Sequence, residues 1–320
     1  MNTRTKLQLR AALLEKIRHF FKERKVLEVE TPLLYPCTIP SSHIESFSSQ
    51  YYFGNFDSNS DQTKQTLYLQ TSPEFAMKRL LAQESGDIYQ VCKAFRNGEL
   101  GKFHNPEFTI LEWYRIGFDH HQLMDEMEEF LRFILDVKTA IRYTYAELFL
   151  HYLNINPLVC SVQQLKKCAV DNGINVNLDT ADQDVWMQLL LTHLIEPHFA
   201  KENRPIFIYD FPQAQAALAK IRKDAEKPAV AERFEVYIKG IELANGFHEL
   251  NDPIEQRQRF ITELAQRQEL NMSCPPLDEN LLQSLASMPA CAGVALGIDR
   301  LLMLLAKANT IRDVLSFDFR

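Results

Sequence analysis

The sequence predicts an α+β protein in which a mostly antiparallel sheet is flanked by helices and a helical segment is inserted after the first hairpin. Two stretches, residues 88–115 and 233–252, each contain two apolar or β-branched runs joined by a charged, glycine-bearing turn. This pattern is typical of β-hairpins. Residues 119–225 instead contain amphipathic runs such as HQLMDEMEEFLRFIL, whose apolar residues recur at helical spacing.

Length and composition narrow the class of protein. The chain has 320 residues, 46% of them hydrophobic, and a formal net charge of -7. One large catalytic domain with an insertion fits this length as well as two domains do. A net negative surface does not favour nucleic acid, so we expect any anion site to be a local basic pocket.

The sequence also predicts the compartment. No apolar run is long enough to span a bilayer, and the first residues form an amphipathic helix rather than a signal peptide. We therefore expect a cytoplasmic protein that does not bind a membrane. The six cysteines show no metal-ligand spacing, which favours reduced core thiols over disulfides or zinc; they are Cys37, Cys92, Cys160, Cys168, Cys274 and Cys291.

The hairpin at residues 88–115 carries the first candidate site. Because strand side chains alternate between faces, Phe108, Ile110, Glu112 and Tyr114 lie on one side of its second strand. This face combines a carboxylate and a phenol with an aromatic ring, Phe108, at the end nearest the loop. It could bind a cationic group and an aromatic base.

Basic residues cluster at the tip of the same hairpin. Arg96 ends the first strand, and Lys102 and His104 lie in the loop. Such a tip could hold a polyphosphate. The alternative, a hairpin with solvated charges at its tip, is equally compatible with this stretch alone.

The N-terminal segment is predicted to be a helix followed by a short strand. The helix ends in the charged run 22–25, and the strand VLEVETP stops at Pro32. Residues 38–66 are rich in polar residues and indicate a loop or an irregular hairpin. The apolar face of the helix is expected to contain Leu7, Ala11, Leu14, Ile17 and Phe21.

A second helix is predicted to begin in TSPEFAMKRLL. Ser72 is a plausible N-cap, Pro73 suits the first helical position, and Glu74 falls in the first turn. A glutamate at this position often only complements the helix dipole. A role in binding a substrate is the alternative.

The hairpin at residues 233–252 carries the second candidate site. If Lys239 and Gly240 form a two-residue turn, Tyr237 lies opposite Glu242, and Glu235 lies on the same face. Two neighbouring carboxylates repel each other unless a cation lies between them, and oxygen ligands suggest Mg²⁺. The alternative is an exposed strand face with both acids in water.

Three further residues of this hairpin alternate on a single face: Asn245, Phe247 and Glu249. Their parity is opposite to that of Glu242. All four can face one site only if a β-bulge intervenes, and we expect that bulge at Gly246.

The third candidate site lies in CAGVALGIDRLLMLLA. The strand is expected to be nearly bare on one face, which lets a ligand approach the backbone; that face contains Gly293, Ala295 and Gly297. Asp299 could cap the following helix, and Arg300 opens it. Tight packing is the alternative explanation for the small residues.

Together these stretches resemble the class II aminoacyl-tRNA synthetases, specifically the lysyl branch. The three signature motifs correspond to residues 5–32, 88–115 and 291–306, and HNPEFT at 104–109 is a specific part of the match. The resemblance implies a single class II catalytic domain over 1–320, with residues 119–225 as a helical insertion. FIYDFPQAQAALA at 207–219 resembles a strand and loop bordering the site.

The resemblance also implies roles for individual residues. Arg96 would contact the α-phosphate of ATP, Arg300 the γ-phosphate, and both would be catalytic. Glu235 and Glu242 would hold Mg²⁺. The implied ATP contacts are Arg96, Asn97, Gly98, Glu99, His104, Asn105, Phe108, Glu242, Leu243, Gly297 and Arg300. The implied contacts to the amino-acid substrate are Ser72, Pro73, Glu74, Glu112, Tyr114, Asn245, Phe247, Glu249 and Ala295.

Two departures from the lysyl branch refine this assignment. Motif 1 begins within the first residues, so we expect no N-terminal OB-fold domain for the anticodon and no tRNA charging. Ala295 stands where tRNA-charging relatives typically have glycine. One additional methyl group changes the shape of a small pocket, and such a change alters the discrimination between two substrates by about 1–3 kcal/mol. Both features match the bacterial elongation factor P lysine ligases, which attach (R)-β-lysine to a lysine of elongation factor P.

That similarity implies elongation factor P and (R)-β-lysine, less well α-lysine, as partners, and a homodimer through motif 1. Two alternatives remain open. One is a stand-alone lysine-activating enzyme that charges tRNA or a small molecule. The other is a synthetase-like regulator that binds ligand without reacting.

A third departure concerns adenine. The lysyl pattern after the motif 2 arginine is Arg-x-Glu, but residue 98 is Gly and the acid is Glu99. By parity Glu99 should point away from Arg96. Alternatively, Gly98 could permit a bulge that turns Glu99 inward.

Overall fold

The computed structural model describes residues 1–53, 64–176 and 180–319. Its helices are α1 Thr3–Glu23, α2 Glu74–Leu81, α3 His120–Leu135, α4 Tyr145–Leu153, α5 Val162–Asp171, α6 Gln183–Leu190, α7 Glu196–Phe199, α8 Pro253–Glu269, α9 Glu279–Leu285 and α10 Ile298–Ala306. Its strands are β1 Leu27–Glu28, β2 Leu34–Tyr35, β3 Ser48–Tyr52, β4 Lys64–Leu69, β5 Ile88–Phe95, β6 Glu107–Ile116, β7 Ile141–Thr144, β8 Ile206–Pro212, β9 Ile221–Arg222, β10 Val230–Ile238, β11 Ile241–His248 and β12 Cys291–Gly297.

These elements form two compact units. The first comprises Met1–Ile116, Leu250–Ala290 and Ala295–Arg320, and the second comprises Gly117–Glu249 and Cys291–Val294. Strand β12 thus contributes residues to both. The expectation of one catalytic domain remains a prediction.

In the first unit, β5 pairs with β6 in an antiparallel hairpin, and β1 runs parallel to β5. Strands β2, β4 and β3 form a separate three-stranded antiparallel sheet. The predicted irregular hairpin is therefore present in the described residues as β3 and β4, and the part of it over 54–63 lies outside them.

Helix α1 has the predicted extent but a rotated apolar face. Its buried residues are Leu13, Ile17, Phe20 and Phe21, whereas Leu7 is 52% exposed. Phe21 stacks on Tyr89 of β5 with ring centroids 4.3 Å apart, and this contact fixes which face of the helix turns inward. Leu7 and Ala11, which belong to the predicted apolar face, are exposed.

In the second unit, β10 pairs with β8 on one side and with β11 on the other, both antiparallel. Strand β7 runs parallel to β8. Residues 119–225, predicted to be a helical insertion, contain helices α3 to α7 and also supply strands β7, β8 and β9 to this unit. An apolar core formed by α4, α5, α6 and neighbouring strands holds them together, with Phe149, Leu190 and Phe211 at most 1% exposed.

Pro197 does not simply end a helix. Helix α6 passes into a π-helical turn over Leu191–Ile195, and α7 then begins with Pro197 in its first turn. Proline has no N–H to donate and fits the start of a helix. The π turn is one residue wider than an α turn, which changes the register at this junction.

The predicted α+β class is confirmed, since most strand pairs whose register is given in the described residues are antiparallel and helices accompany both units. Within the residues that the structure describes, no helix is both long and apolar enough to cross a bilayer. Five of the predicted thiols, Cys37, Cys92, Cys160, Cys168 and Cys274, form no disulfide among these residues.

Candidate functional site

The β5–β6 hairpin has the predicted alternation. Glu112 lies opposite Gln90, and Phe108 lies opposite Ala94. Glu112 and Tyr114 are each 2% exposed, whereas Phe108 is half-buried nearer the loop. The hairpin therefore has a deep polar end and an aromatic mouth on one face.

Glu112 is held by two hydroxyl groups. Ser72 Oγ donates to Glu112 Oε2 at 2.6 Å, and Tyr114 Oη donates to Glu112 Oε1 at 2.6 Å. Burial and the charge of Glu74 raise the pKa of Glu112 to about 7, although both hydroxyl groups and Lys78 oppose this shift. The pocket thus holds a carboxylate that a bound cation would stabilise in its ionised form.

Ser72 is not the N-cap that the sequence predicted. Pro73 occupies the N-cap position of α2 and Glu74 its first turn. Ser72 Oγ nevertheless accepts from the Glu74 N–H at 3.1 Å while donating to Glu112. The Ser72 hydroxyl therefore both holds the Glu112 carboxylate and satisfies a backbone N–H at the start of α2.

Lys78 also belongs to this site, although it was not predicted from the sequence. Its Nζ lies 2.7 Å from Glu74 Oε1, and its side chain is only 1% exposed. A glutamate four residues before a lysine is the favourable order for an ion pair on a helix. The sequence spacing of Glu74 and Lys78 could therefore have predicted this pair. Lys78 pairs with Glu74, and its charge also opposes the rise in the pKa of Glu112.

Arg96 and Phe108 come together at the mouth of the hairpin. The Arg96 guanidinium carbon lies 5.2 Å from the centroid of the Phe108 ring. Gly98 has φ +81°, a left-handed conformation that glycine adopts at little cost. The chain therefore turns so that Glu99 Oε1 lies 3.6 Å from Arg96 Nη1, which favours the inward alternative for Glu99.

Arg300 contacts the loop of the same hairpin. Its Nε donates to the Phe103 carbonyl at 3.2 Å, and its Nη2 lies 2.7 Å from His104 Nε2. A Cβ on Gly297 would lie 3.5 Å from the Cδ of Arg300, an ordinary contact distance. Arg96 and Arg300 thus both contact the loop that joins β5 and β6.

Asp299 does not cap α10, which corrects the prediction. The N-cap is Gly297, and no side chain caps the helix. Asp299 is 1% exposed, ion-pairs with Arg10 of α1, and accepts from the Thr109 N–H at 2.7 Å. Asp299 thus connects α10 with α1 and β6. The preference of aspartate for helix N-caps could not predict these contacts.

Two other loop residues predicted to contact ATP are placed by backbone contacts. The Asn97 N–H donates to the Glu45 carbonyl at 2.8 Å. Asn105 is 7% exposed, and its Nδ2 donates to the Glu107 carbonyl at 2.6 Å. Both contacts order the loop.

The β10–β11 hairpin confirms the predicted turn. Lys239 and Gly240 both have positive φ, and Ile238 pairs with Ile241. Tyr237 lies opposite Glu242, as expected.

The bulge is at Leu243 rather than Gly246. Val236 pairs with Ala244 and Tyr237 with Glu242, so Leu243 is the additional residue. The bulge moves the alternate side chains that follow it onto the face of Glu242, as the prediction required. Glu235, Tyr237, Glu242, Asn245 and Phe247 therefore share one face.

Gly246 has a different reason to be glycine. A Cβ there would lie 2.4 Å from Cζ of Phe234 and 3.0 Å from Cβ of Val294. Glu249, just beyond β11, is 1% exposed, and its N–H donates to the Cys291 carbonyl at 3.0 Å.

Arg233, which was not predicted from the sequence, organises the acidic face of the second unit. Its guanidinium ion-pairs with Glu235 and donates to Asn245 Oδ1 at 3.1 Å. Tyr237 Oη donates to the other oxygen of Glu235 at 2.7 Å. Because Asn245 Oδ1 accepts from Arg233, the Asn245 amide N–H groups are left to donate elsewhere.

A third acid, Glu196 of α7, accompanies the predicted pair. Tyr237 Oη lies 3.4 Å from Glu196 Oε1. Burial and the charges of Glu235 and Glu242 raise the pKa of Glu196 to about 7. Burial also raises the pKa of Glu235, with Arg233 opposing and Glu242 adding to the shift. These acids therefore repel one another.

One group of side chains in the second unit has the composition of a metal site. His120, Glu232 and His248 bring candidate ligand atoms within 4.8 Å of one another. Their hydrogen bonds instead indicate a structural role. His248 Nδ1 lies 2.6 Å from Glu232, and Lys220 Nζ lies 3.2 Å from His248 Nε2. Arg222 also lies 3.4 Å from Glu232, so cations already balance this cluster.

The predicted residues therefore fall into two sets. The first unit contains the arginines, the motif 2 loop, Ser72, Pro73, Glu74, Glu112 and Tyr114, together with half-buried Ala295. The second unit contains Glu235, Glu242, Leu243, Asn245, Phe247 and Glu249.

Comparison with known proteins identifies the family. The family model of class II tRNA synthetases (D, K and N) matches residues 1–319. A Vibrio cholerae protein named "Elongation factor P--(R)-beta-lysine ligase" is 50% identical over 317 residues, covering 98% of this chain and 95% of the relative. Proteins of the same name from Vibrio atlanticus and Salmonella typhi are 48% and 46% identical, covering 98% and 96% of this chain and 95% and 93% of the relatives. The chain belongs to the class II tRNA synthetase family of the D, K and N group.

Proposed function

We propose that this protein is a ligase that activates (R)-β-lysine with ATP and transfers it to a lysine side chain of elongation factor P. Relatives that are 46% to 50% identical over nearly the whole chain carry the corresponding name. The observation that carries the proposal is the buried Glu112 carboxylate, held by Ser72 and Tyr114 and ready for an ammonium group.

The remaining acids would select a diamine. Glu112, Tyr114 and Glu249 would bind the side-chain ammonium group, and Glu74 would bind the second amine. Asn245 would donate its amide N–H groups to the substrate carboxylate, because its oxygen already accepts from Arg233. A buried site of this kind rejects an analogue that lacks an amine, since the acceptors would then be unpaired. Phe247 and Ala295 would shape the pocket.

The residues at the hairpin mouth would bind ATP. Phe108 would stack on adenine, Glu99 would accept from its amino group, and Arg96 would contact the α-phosphate. Arg300, with His104 beside it, would contact the γ-phosphate. Asn97, Gly98, Asn105, Leu243 and Gly297 would complete the nucleotide contacts through the loop and nearby backbone.

The reaction needs no protein nucleophile. A carboxylate oxygen of the amino acid attacks the α-phosphorus of ATP, and pyrophosphate leaves with the electrons of the broken P–O bond. The lysine amine of elongation factor P then attacks the acyl carbonyl, loses a proton and expels AMP. Arg96 and Arg300 would stabilise charge on the phosphates during the first step.

Glu235 and Glu242 fit a hard divalent cation. They supply oxygen ligands from one face of the β10–β11 hairpin, and Glu196 lies near them. When bound, Mg²⁺ would neutralise part of the triphosphate charge. Arg233 and Tyr237 would hold Glu235 in place through its two oxygens.

We further propose that the protein is a cytoplasmic homodimer that does not charge tRNA, with its two units acting as one catalytic domain. Exposed apolar side chains in and after α1 support a dimer; Leu7, Leu27 and Leu34 are 52%, 57% and 46% exposed. Light scattering coupled to size exclusion tests this, and a monomer at micromolar concentration would contradict it.

Mass spectrometry of elongation factor P tests the function. The protein is incubated with elongation factor P, ATP, Mg²⁺ and either (R)-β-lysine or α-lysine. We expect elongation factor P to gain the mass of one lysyl group, and a larger fraction of it to be modified with (R)-β-lysine than with α-lysine. Pyrophosphate exchange with acylation of tRNA alone would support a tRNA-charging enzyme, and no exchange with either isomer would support a non-catalytic regulator.

A further inference from the structure

Arg267 of α8 is a buried cation with no role in the proposed reaction. It is 2% exposed, and its guanidinium group donates to three backbone carbonyls of the first unit. Its Nη1 donates to the Ser41 carbonyl at 2.7 Å and to the Ile44 carbonyl at 3.1 Å, and its Nε donates to the Ser273 carbonyl. Burying a charged group is costly unless the group is paired and hydrogen-bonded. Arg267 therefore fixes the backbone of the segments that supply these carbonyls.

Glu45 supplies the counter-ion from one of these segments. Its Oε2 forms an ion pair with Arg267 Nη2, and its Oε1 accepts from Ser273 Oγ at 3.0 Å. Both carboxylate oxygens of Glu45 are thus bound. Because a guanidinium group presents its N–H donors in a fixed planar fork, these contacts constrain the direction of the segment as well as its distance from α8.

Two further residues of α8 bind the same segment, the 41–45 loop. The Ser42 N–H donates to Glu263 Oε2 at 2.7 Å, and Ser42 Oγ donates to Gln266 Oε1 at 3.2 Å. Residues 41–44 belong to no helix or strand. Their conformation therefore depends on the side chains of α8, with Arg267 as the central contact.

The 41–45 loop in turn holds the chain beside Arg96. The Glu45 carbonyl accepts from the Asn97 N–H at 2.8 Å, and these two residues form an isolated antiparallel bridge. The Arg96 N–H donates to the Pro106 carbonyl at 2.9 Å. Of these two backbone hydrogen bonds, one comes from the β5–β6 hairpin itself and the other from the loop that Arg267 fixes.

The contacts of the Arg96 side chain are longer than those of its backbone. Its Nη1 lies 3.6 Å from Glu99 Oε1, and its guanidinium carbon lies 5.2 Å from the centroid of the Phe108 ring. Its Nε is buried and has no hydrogen-bond partner among the residues that the structure describes. The direction of the guanidinium group therefore depends strongly on the backbone at residues 96 and 97.

We infer that Arg267 is a positioning residue for Arg96, acting through the 41–45 loop and its hydrogen bond to Asn97. The inference rests on the proposed function, in which Arg96 contacts the α-phosphate of ATP. A displacement of about 1 Å caused by a distant substitution can lower a rate about 100-fold. Glu112 lies at the other end of β6, outside this series of contacts, so binding of the amino acid should not depend on Arg267.

Calorimetric titration with ATP and Mg²⁺, and separately with (R)-β-lysine, tests the inference. Arg267→Lys keeps the positive charge but cannot reproduce the fork of donors. Glu45→Gln is a milder second variant, which keeps the backbone carbonyl and removes the charge of the counter-ion; it decides the question if Arg267→Lys does not fold. Arg257→Lys is the matched control, because it makes the same change in the same helix at an exposed residue that pairs with Glu279.

We expect Arg267→Lys to raise the Kd of ATP at least fivefold and Glu45→Gln to raise it at least twofold. Arg257→Lys should leave this Kd unchanged, and the Kd of (R)-β-lysine should change less than twofold in every variant. An unchanged Kd of ATP, or an equal loss of affinity for both ligands, would overturn the inference. The equal loss would show that Arg267 only supports the fold.

A double-variant cycle tests whether the effect passes through Arg96. Arg96→Ala removes the side chain that Arg267 would position. In that background we expect Arg267→Lys to raise the Kd of ATP less than twofold, because residues that act through one another have non-additive effects. A further fivefold loss in the double variant would show that the two residues act independently, and would overturn the inference.

Pyrophosphate exchange separates this inference from the proposed function. An ATP affinity that depends on Arg267 only when Arg96 is present, without exchange in the wild-type protein, would support the positioning role and contradict the ligase activity. Exchange in the wild-type protein whose kcat and KM for ATP are unchanged by Arg267→Lys would overturn the positioning role and leave the activity intact.

Discussion

Glu112 makes a quantitative link between substrate binding and stability. Its pKa rises from 4.5 to about 7 in the folded protein, chiefly through burial and then through the charge of Glu74. Between these two values the folded state binds a proton that the unfolded state has lost. Stability therefore falls as pH rises, by about 1.4 kcal/mol per pH unit, and the loss is complete once pH has passed through about 7. The total is about 3 kcal/mol.

Replacing Glu112 by Gln removes this titration. The amide is similar in shape, and its oxygen can still accept from Ser72 or Tyr114. We expect the variant and the wild type to have similar stability at pH 4.5, and the variant to be more stable by up to about 3 kcal/mol at pH 8. Urea unfolding without ligand, at pH values from 4.5 to 8.5, measures this difference.

The same group should control the affinity for substrate. Since an ammonium group needs the ionised carboxylate, the Kd of (R)-β-lysine should fall about tenfold per pH unit as pH rises towards 7 and level off above it. The Glu112→Gln variant should bind weakly at every pH. A stability difference between variant and wild type that does not change with pH would refute the reasoning.

Three further predictions follow from single contacts. Lys78→Met should destabilise the protein by about 3–5 kcal/mol in urea unfolding, because it leaves Glu74 buried without its cation; a change under 1 kcal/mol would contradict this. Glu99→Ala should raise the KM for ATP several-fold in pyrophosphate exchange, and an unchanged KM would mean that its inward position has no role in adenine binding. Gly246→Ala should lower stability by about 1–3 kcal/mol, since its Cβ would overlap the Phe234 ring; an unchanged melting temperature would show that the ring moves aside freely.

The sequence determined the features that depend on short-range geometry. Alternation along a strand fixes which side chains share a face, so the positions of Glu112 and Tyr114 on β6 could be predicted. The two positive-φ residues of a tight turn fixed the Lys239–Gly240 hairpin and hence the pairing of Tyr237 with Glu242. The resemblance to the synthetase family added predicted roles for individual residues in binding ATP, metal and substrate, which the spacing of residues alone did not indicate.

Only the tertiary structure decided the features that depend on distant segments. The bulge falls at Leu243 because the register of β11 against β10 is set along the whole strand pair. Asp299 binds Arg10 and Thr109 instead of capping its own helix, since partners from other segments compete successfully for its carboxylate. Local spacing sets the direction of a side chain, but which group it meets is set by the packing of elements far apart in the chain.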